Sequence, residues 1–230
     1  MGDIFDNYLV WLIVALVAFV FLTVLIAVLS SKSAQKRKEE QDVYEINQVG
    51  QAGENYVADC LKGIVDVFGG YLYNDFCFED QQGYSTEIDH ILITRGGIFI
   101  IETKTNKGLI RGAKDDEWWL CIKKDYQQDK QLKNPIIQNQ GHINHLRKMF
   151  KNTPPKMTSI VIFPVADITY VSSDIVYDLD DATNKIIELT KSNTYSQEFV
   201  ERINSQIKQI QDTYSISKEK HIENIKRTYN

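Results

Sequence analysis

Three charged side chains interrupt strongly apolar segments of the chain, and they are the first candidates for chemistry. Asp89 stands within residues 85–94, STEIDHILIT, and both Glu102 and Lys104 stand within residues 98–104, IFIIETK. Both segments are typical of β-strands, on which residues two apart share a face, so Glu102 and Lys104 are expected to project together. Two carboxylates beside a lysine can bind a divalent cation and position a water molecule for hydrolysis.

A tight turn is expected to bring the two carboxylates together. Gly96 and Gly97 lie between the two strands, and glycine permits the backbone conformation of a short hairpin turn. The offsets from this turn to Asp89 and to Glu102 are similar, so both carboxylates are expected near adjacent strand ends. Such a pair is suited to Mg²⁺ or Mn²⁺, which prefer oxygen ligands. The alternative is an ordinary salt-bridged trio at the end of a sheet.

The elements that must hold these residues follow from the hydrophobic periodicity. A helix is predicted over residues 48–67, because apolar residues recur at helical spacing and a Gly-Gly pair follows. Strands are predicted over 71–78, 85–94, 98–104, 109–111, 118–123 and 158–163, a second helix over 135–150, and further helices over 181–192, 197–214 and 217–228. The predicted fold class is therefore α/β, with a mixed central sheet flanked by helices in the order αβββαβ and a mainly helical region over 166–230.

The N-terminal segment has the properties of a membrane anchor. Residues 9–29 are almost wholly apolar, which is enough for a helix to cross the ~30 Å hydrocarbon core of a bilayer. Basic residues follow the segment at positions 32, 36, 37 and 38, and none precedes it. The positive-inside rule then predicts a single-pass protein of the cell membrane, with its N-terminus outside and residues 32–230 in the cytoplasm. Residues 1–31 form the predicted anchor, and residues 32–46 a charged linker or a helical extension of it.

Composition excludes several classes of protein. The chain has 230 residues, 43% of them hydrophobic and 25% charged, which fits one main folded domain. Its 31 acidic and 26 basic residues give a net charge of −5, so it is not a nucleic-acid binder that works through a polybasic surface. The three cysteines form no CxxC pair, which argues against a structural zinc site or a disulfide framework and agrees with a reducing compartment.

Several separated motifs together resemble the NERD, or nuclease-related, domain of the PD-(D/E)xK nuclease superfamily. They are GENYVADCL, TEIDHILITRGGIFIIETKTNKGLIRG, DDEWW and NPIIQNQGHINHL, and they occur in this order within residues 47–165. The resemblance implies a restriction-endonuclease-like core in a bacterial protein. Membrane-anchored proteins are common in that family, which is consistent with the apolar N-terminal segment.

The resemblance also implies roles for five residues of this chain. Asp89 and Glu102 would bind Mg²⁺ or Mn²⁺, and Glu54 would hold a water molecule of the metal shell. Lys104 would position the attacking water, and Gln138 resembles a glutamine that related nucleases place against the phosphate or a metal-bound water.

Two positions depart from the family pattern, and other polar residues have competing explanations. Ile88 stands where the family has proline, and His142 stands where related enzymes have tyrosine or glutamine. His90 is expected to be structural, and His142 and His145 lie three apart on the second helix without a third ligand at suitable spacing. Six residues could contact nucleic acid or could instead pack or face solvent: Arg95, Lys107, Arg111, Lys114, Trp118 and Trp119.

The function expected from these features is divalent-metal-dependent hydrolysis of phosphodiester bonds by a membrane-anchored nuclease. The expected substrate is DNA, with RNA as the alternative. A competing hypothesis is a catalytically silent module that keeps the nuclease fold and binds nucleic acid or a protein partner at the membrane. A third is a membrane-assembly protein that acts through residues 166–230.

Overall fold

The structure is a computed structural model that describes residues 2–123 and 129–228, with side chains described at positions 23, 28–38, 41, 44–45, 48–123 and 129–227. The chain divides into two compact units, Met1–Val49 and Gly50–Asn230. The first unit is helical. The second unit contains the sheets and the candidate active site.

The helices and strands follow one another in the order α1, β1 to β6, α2, β7 to β9, and α3 to α5. The helices are α1 (Gly2–Phe68), α2 (Pro135–Met149), α3 (Leu179–Lys191), α4 (Gln197–Tyr214) and α5 (Lys218–Thr228). The strands are β1 (Tyr71–Glu79), β2 (Ser85–Thr94), β3 (Gly97–Thr103), β4 (Leu109–Ala113), β5 (Trp118–Ile122), β6 (Lys130–Lys133), β7 (Met157–Ile162), β8 (Asp167–Ser172) and β9 (Val176–Tyr177).

The central sheet has five strands in the order β1-β2-β3-β7-β9. Strands β1, β2 and β3 pair antiparallel, whereas β3, β7 and β9 pair parallel, so the sheet is mixed. The long connection between β3 and β7 contains α2, as a parallel crossover requires. The predicted class, a mixed sheet with flanking helices and a helical C-terminal region, is confirmed.

A second sheet of four strands, in the order β6-β5-β4-β8, was not predicted. The sequence predicted β4 and β5 as strands but not that they belong to a separate sheet. Strand β6, KQLK, has no run of apolar residues, and its pairing with β5 defines it. Strand β8 then joins β4 in parallel, although the two strands are more than fifty residues apart in the sequence.

The core consists of three groups of buried apolar residues. One face of the central sheet packs against α2 and α4, and Ile203, Ile207 and Ile210 of α4 are buried there. The opposite face packs against α3 and the part of α1 from Val57 to Phe68. The third group lies between the second sheet, β7 and the start of α2, with Trp119 at its centre.

Local sequence explains where the two site-bearing helices end or begin. Helix α1 stops before Gly69 and Gly70, whose φ angles of 76° and 128° favour glycine. Helix α2 begins after Asn134, whose side chain accepts a hydrogen bond from the Ile136 N–H, and Pro135 occupies the first turn.

No helix among the residues described here has both the length and the apolar character that a membrane crossing needs. Of the predicted anchor, residues 9–29, side chains are described only at positions 23, 28 and 29. The anchor therefore lies almost wholly outside the described side chains and stays a prediction. Residues 32–46, for which a linker or a helical extension was expected, are part of α1.

Candidate active site

The site lies where β2 and β3 separate. The backbone pairing of the two strands ends at His90 and Ile101. Beyond this pair the Thr103 N–H donates a 2.7 Å hydrogen bond to the Asp89 carboxylate and not to the backbone of β2. Strand β3 continues its pairing on the other side, where Glu102 lies beside Val161 of β7. The side chain of Asp89 thus replaces a backbone partner, and the polar side chains that gather at this point are called the recess below.

Glu102 is the most buried charged group of this recess, with 2% of its side chain exposed. Its Oε1 atom lies 2.6 Å from Nζ of Lys104, which projects from the same face of the chain. Its Oε2 atom lies 3.3 Å from Nε2 of His142 but has no partner with hydrogen-bond geometry. A buried carboxylate oxygen without a hydrogen bond is costly, so a ligand bound at this atom would relieve that cost.

Lys104 is held from two sides. Its ammonium group contacts Glu102 and also donates a 3.0 Å hydrogen bond to Oε1 of Gln138 on α2. Its backbone N–H bonds to the carbonyl of Ile162, so β7 fixes the main chain at this point. The protein itself therefore fixes the orientation of the lysine.

The two carboxylates differ in their preferred protonation state. Burial raises the pKa of Asp89 well above its usual value, and the negative charge of Glu102 raises it further, against the opposing effects of Thr103 and Lys104. Burial also raises the pKa of Glu102, but Lys104 and His142 outweigh this effect, so that it lies below its usual value. The pair holds one negative charge readily and resists a second.

Glu54 reaches the same region from α1. A Cβ atom on Gly53 would overlap the methyl group of Thr105, so glycine allows the helix to approach the chain directly after Lys104. Burial raises the pKa of Glu54, and the charge of Glu102 is among the neighbouring charges that add to this rise. The structure thus places Glu54 within electrostatic range of the carboxylate pair.

The residues present can accommodate a divalent cation. No three His, Cys, Asp or Glu side chains of the described residues are close enough together to hold a metal ion. Mg²⁺, however, is commonly bound by one or two carboxylates with water in its other positions. Asp89 and Glu102 supply two carboxylates, one oxygen of Glu102 lacks a hydrogen bond, and a cation would relieve their mutual repulsion. This donor set fits the metal that the sequence predicted.

Comparison with known proteins identifies the domain that carries this recess. A family model for NERD, the nuclease-related domain, matches residues 49–164. The chain belongs to the NERD family. All five residues to which the sequence assigned a role lie within this NERD domain, on α1, β2, β3, α2 and the residue after β3.

An uncharacterized protein of Bacillus anthracis is similar to this chain, with 26% identity over 120 residues. The match covers 52% of this chain and 55% of that protein, so the chain spans about half the length of the relative. No solved structure matches the chain.

The histidines of the NERD domain contact different groups. His90 is buried beside Asn74, with its Nδ1 atom 2.9 Å from the amide oxygen, and burial lowers its pKa to about 4. His142 faces Glu102, whereas His145 contacts Thr86 and lies 3.0 Å from Oδ2 of Asp80. The expectation that His90 is structural agrees with this placement, and His142 and His145 do not converge on one point.

The remaining candidates separate into core and surface. Trp119 is buried against Phe163, whereas Trp118 is 51% exposed. Arg95 donates a hydrogen bond to the carbonyl of Tyr195, and Arg111 is exposed on the second sheet. Lys107 and Lys114 are exposed as well, at the two ends of β4. Only Trp118 and the exposed cations remain available for a ligand.

Helix α5, outside the NERD match, contributes charge that the sequence did not indicate. Lys218 forms ion pairs with Glu87 and Asp75, and its charge lowers the pKa of Glu54 against the effect of burial. His221, on the same helix, donates to or accepts from the Ser85 hydroxyl at 2.8 Å. No pattern in the sequence of this polar helix predicts that Lys218 contacts strands more than 130 residues away.

Proposed function

We propose that this protein is a membrane-anchored nuclease that hydrolyses phosphodiester bonds of DNA, or alternatively of RNA, with Mg²⁺ or Mn²⁺ as cofactor. Membership of the nuclease-related family supports a nuclease-related function. The observation that carries the finer proposal is the buried Glu102, which holds Lys104 with one oxygen and leaves the other without a hydrogen bond. A restriction-endonuclease-like core, as in the PD-(D/E)xK nucleases, is part of this proposal.

Each residue of the recess has a role in this mechanism. Asp89 and Glu102 would hold the divalent ion, whose charge stabilises the negative charge that develops on the phosphate. Lys104, oriented by Glu102 and Gln138, donates hydrogen bonds to the water molecule that attacks the phosphorus. The Gln138 oxygen accepts from the lysine and its amide nitrogen lies 3.5 Å from Nε2 of His142, which leaves one N–H of the amide for the phosphate. Glu54 adds a further acceptor for water at the edge of the recess.

The location of this activity is proposed from the sequence. Residues 9–29 are apolar over the length of a bilayer and are followed by four basic residues, which supports a single crossing with the NERD domain on the cytoplasmic side. Substrates would then be nucleic acids that come close to the inner surface of the cell membrane.

The test is cleavage by the full chain, purified in detergent, of single- and double-stranded DNA and RNA with Mg²⁺, Mn²⁺ or EDTA. We expect metal-dependent cleavage by the native protein and a loss of at least about a hundredfold in Asp89→Asn and in Lys104→Ala, because each loses charge in the reacting recess. Asp66→Asn and Lys62→Ala are matched controls, since this ion pair lies exposed on α1.

Two results would contradict the proposal. Cleavage that persists in EDTA would show that the reaction does not need a divalent metal. Equal activity of Asp89→Asn and the native protein would show that the recess is not the active site. An inert native protein that binds Mg²⁺ would favour the silent module that binds nucleic acid or a protein partner.

A further inference from the structure

The second sheet, β6-β5-β4-β8, has one buried face and one exposed face. Ile110, Trp119 and Cys121 point to the buried side, where they form the third core group. Because side chains alternate along a strand, the residues between them point to the other side. This exposed side, called the outer face below, contains Leu109, Arg111, Ala113, Trp118, Leu120, Ile122, Gln131, Lys133, Tyr170 and Ser172, and Asp167 pairs with Leu109 at its edge.

The strand register sets the neighbours on the outer face. Leu120 pairs with Gln131 on one side and with Arg111 on the other, and Arg111 also pairs with Tyr170. Trp118 pairs with Lys133, one row further along the strands. Each ring therefore has one basic side chain beside it, Arg111 next to Tyr170 and Lys133 next to Trp118.

Both rings are open to solvent. Trp118 is 51% exposed and Tyr170 is 62% exposed, and no element among the described residues covers them. An exposed tryptophan and tyrosine on one sheet face are unfavourable for a surface that meets only water, because each ring presents a large apolar area. Neighbouring strands lie about 4.8 Å apart, so the rings, two strands and one row apart, are separated by about 12 Å.

The charge of the outer face is opposite to that of the chain. The outer face carries Arg111 and Lys133, with Asp167 at its edge, whereas the chain as a whole carries −5. Lys130 pairs with Cys121 and so belongs to the other side of the sheet. The acidic residues nearest in the sequence lie in the turn over residues 115–117, and Asp167 lies at the start of β8. Phosphate groups are complementary to a face of net positive charge, and the bases of a nucleic acid can stack on the exposed rings.

The chain segment that contains β4, β5 and β6 is connected at both of its ends to residues of the active-site recess. Four residues, 105–108, connect Lys104 to β4, and β6 ends at Lys133, five residues before Gln138. The β4–β6 segment is thus inserted between two residues of the recess.

We propose that the outer face binds single-stranded nucleic acid, with Trp118 and Tyr170 stacking on unpaired bases and Arg111 and Lys133 contacting the phosphates. Stacking on aromatic side chains requires bases that are not stacked within a duplex, so the preference is for single strands. The inference rests on the proposed nuclease function, for which it specifies the class of substrate.

The test is binding of a fluorescently labelled single-stranded oligonucleotide to the full chain in detergent and EDTA, where no cleavage occurs. Trp118→Ala and Tyr170→Ala are each expected to weaken binding about tenfold, from the measured contribution of base stacking, and Trp118→Phe to restore most of it. Tyr84→Ala is the matched control, because Tyr84 is 64% exposed in the β1–β2 turn and should not affect binding.

A second comparison addresses the phosphates and the strand class. Arg111→Ala and Lys133→Ala should each reduce the dependence of log Kd on log salt by about 0.7, the value for one phosphate contact on a single strand. The duplex of the same sequence should bind more weakly than the single strand.

The outcomes separate this inference from the proposed function. Equal affinity for duplex and single strand, unchanged binding by Trp118→Ala, or no binding at all would each overturn the inference, and the last would leave the face to a protein partner. Single-strand binding without metal-dependent cleavage would uphold the inference and overturn the proposed hydrolysis. Metal-dependent cleavage by a protein whose single-strand binding does not depend on Trp118 would uphold the proposed hydrolysis and overturn the inference.

Discussion

At the scale of single residues, the recess brings together carboxylates whose negative charges oppose each other. Two carboxylates, Asp89 and Glu102, are held next to each other in a largely buried position, and a single lysine, Lys104, offsets their charge. Buried like charges oppose folding, and such arrangements are found where function requires them. The neighbouring His142 adds a contact to Glu102.

We predict that Asp89→Asn raises the Tm of the metal-free protein at pH 8. The folded-state pKa of Asp89 is raised, so its contribution to stability is present when it is protonated at low pH and is lost as the pH rises through that pKa. Asparagine removes this cost at pH 8 and still offers an oxygen to the Thr103 N–H. Thermal unfolding followed by circular dichroism in EDTA measures the change.

Addition of Mg²⁺ extends the same experiment. The native protein should gain stability with the metal, as expected for a ligand that binds the folded state, whereas Asp89→Asn should gain less. Asp66→Asn, an exposed carboxylate on α1, should match the native protein in both buffers. A lower Tm for Asp89→Asn in EDTA would show that the Asp89 carboxylate stabilises the fold and is not strained.

At the scale of elements, small residues decide how closely neighbouring segments approach. Gly53 lets α1 lie against Thr105, which brings Glu54 to the recess. Gly112 of β4 lies under the indole ring of Trp119, and the Trp119 N–H donates a 2.9 Å hydrogen bond to the Ala113 carbonyl. The second sheet is therefore packed around one buried tryptophan.

We predict that Gly112→Ala lowers the free energy of unfolding by about 1–3 kcal/mol, the usual effect of overpacking in a core. The new Cβ atom would overlap the Trp119 ring, which is 1% exposed and cannot move into solvent. Gly141→Ala in α2 is the matched control, since a Cβ there meets no atom within 4 Å. That change should raise stability by about 0.5–1 kcal/mol through helix propensity.

Urea unfolding of the two glycine variants decides this prediction. An unchanged free energy of unfolding for Gly112→Ala would mean that the second sheet moves to accommodate the methyl group without loss of stability. The outer face would then also be able to change shape. A destabilised Gly141→Ala protein would mean that α2 is distorted at that turn.

At the scale of the whole molecule, the C-terminal helices pack against strands of the NERD domain, although they lie outside the residues that the family model matches. Helix α4 buries its isoleucines against β1 and β2, and α5 contacts the same strands through Lys218 and His221. The groups that face His221 are Glu87, Lys218 and His142. Residues beyond the NERD match therefore stabilise the strands that carry Asp89.

We predict that the attachment of α5 weakens in acid. Burial lowers the pKa of His221 below its ordinary value of 6.5, with His142 and Lys218 adding to the effect. The unfolded chain then binds a proton more readily, so stability is complete above pH 6.5 and falls as the pH drops below it. The Tm of the native protein should decrease from pH 7.5 to 5.5, and His221→Gln should reduce this decrease while keeping a partner for Ser85.

The comparison of pH slopes isolates His221 from other titrating groups. Equal slopes for the native protein and His221→Gln would contradict the prediction. Protection of α5 amides from hydrogen exchange at the two pH values, measured in parallel, shows whether the loss begins at that helix.

Much of the architecture follows from local sequence. The pattern of apolar residues predicts the helices and most strands, because the period of burial differs between a helix and a strand. The two-residue spacing of Glu102 and Lys104 places them on one face, and the turn before Gly97 sets Asp89 at the level of Glu102. Local patterns are sufficient for these features because they depend on residues that are close in the chain.

Only the tertiary structure decides the remaining features, because they depend on residues far apart in the sequence. The pairing of β4 with β8 creates the second sheet, and the docking of α2 gives Lys104 its contact with Gln138 and Glu102 its contact with His142. The charge of Lys218 reaches Glu54 from the other end of the chain. The sequence by itself determined which residues could form a hydrolytic site, and long-range packing determined what surrounds them.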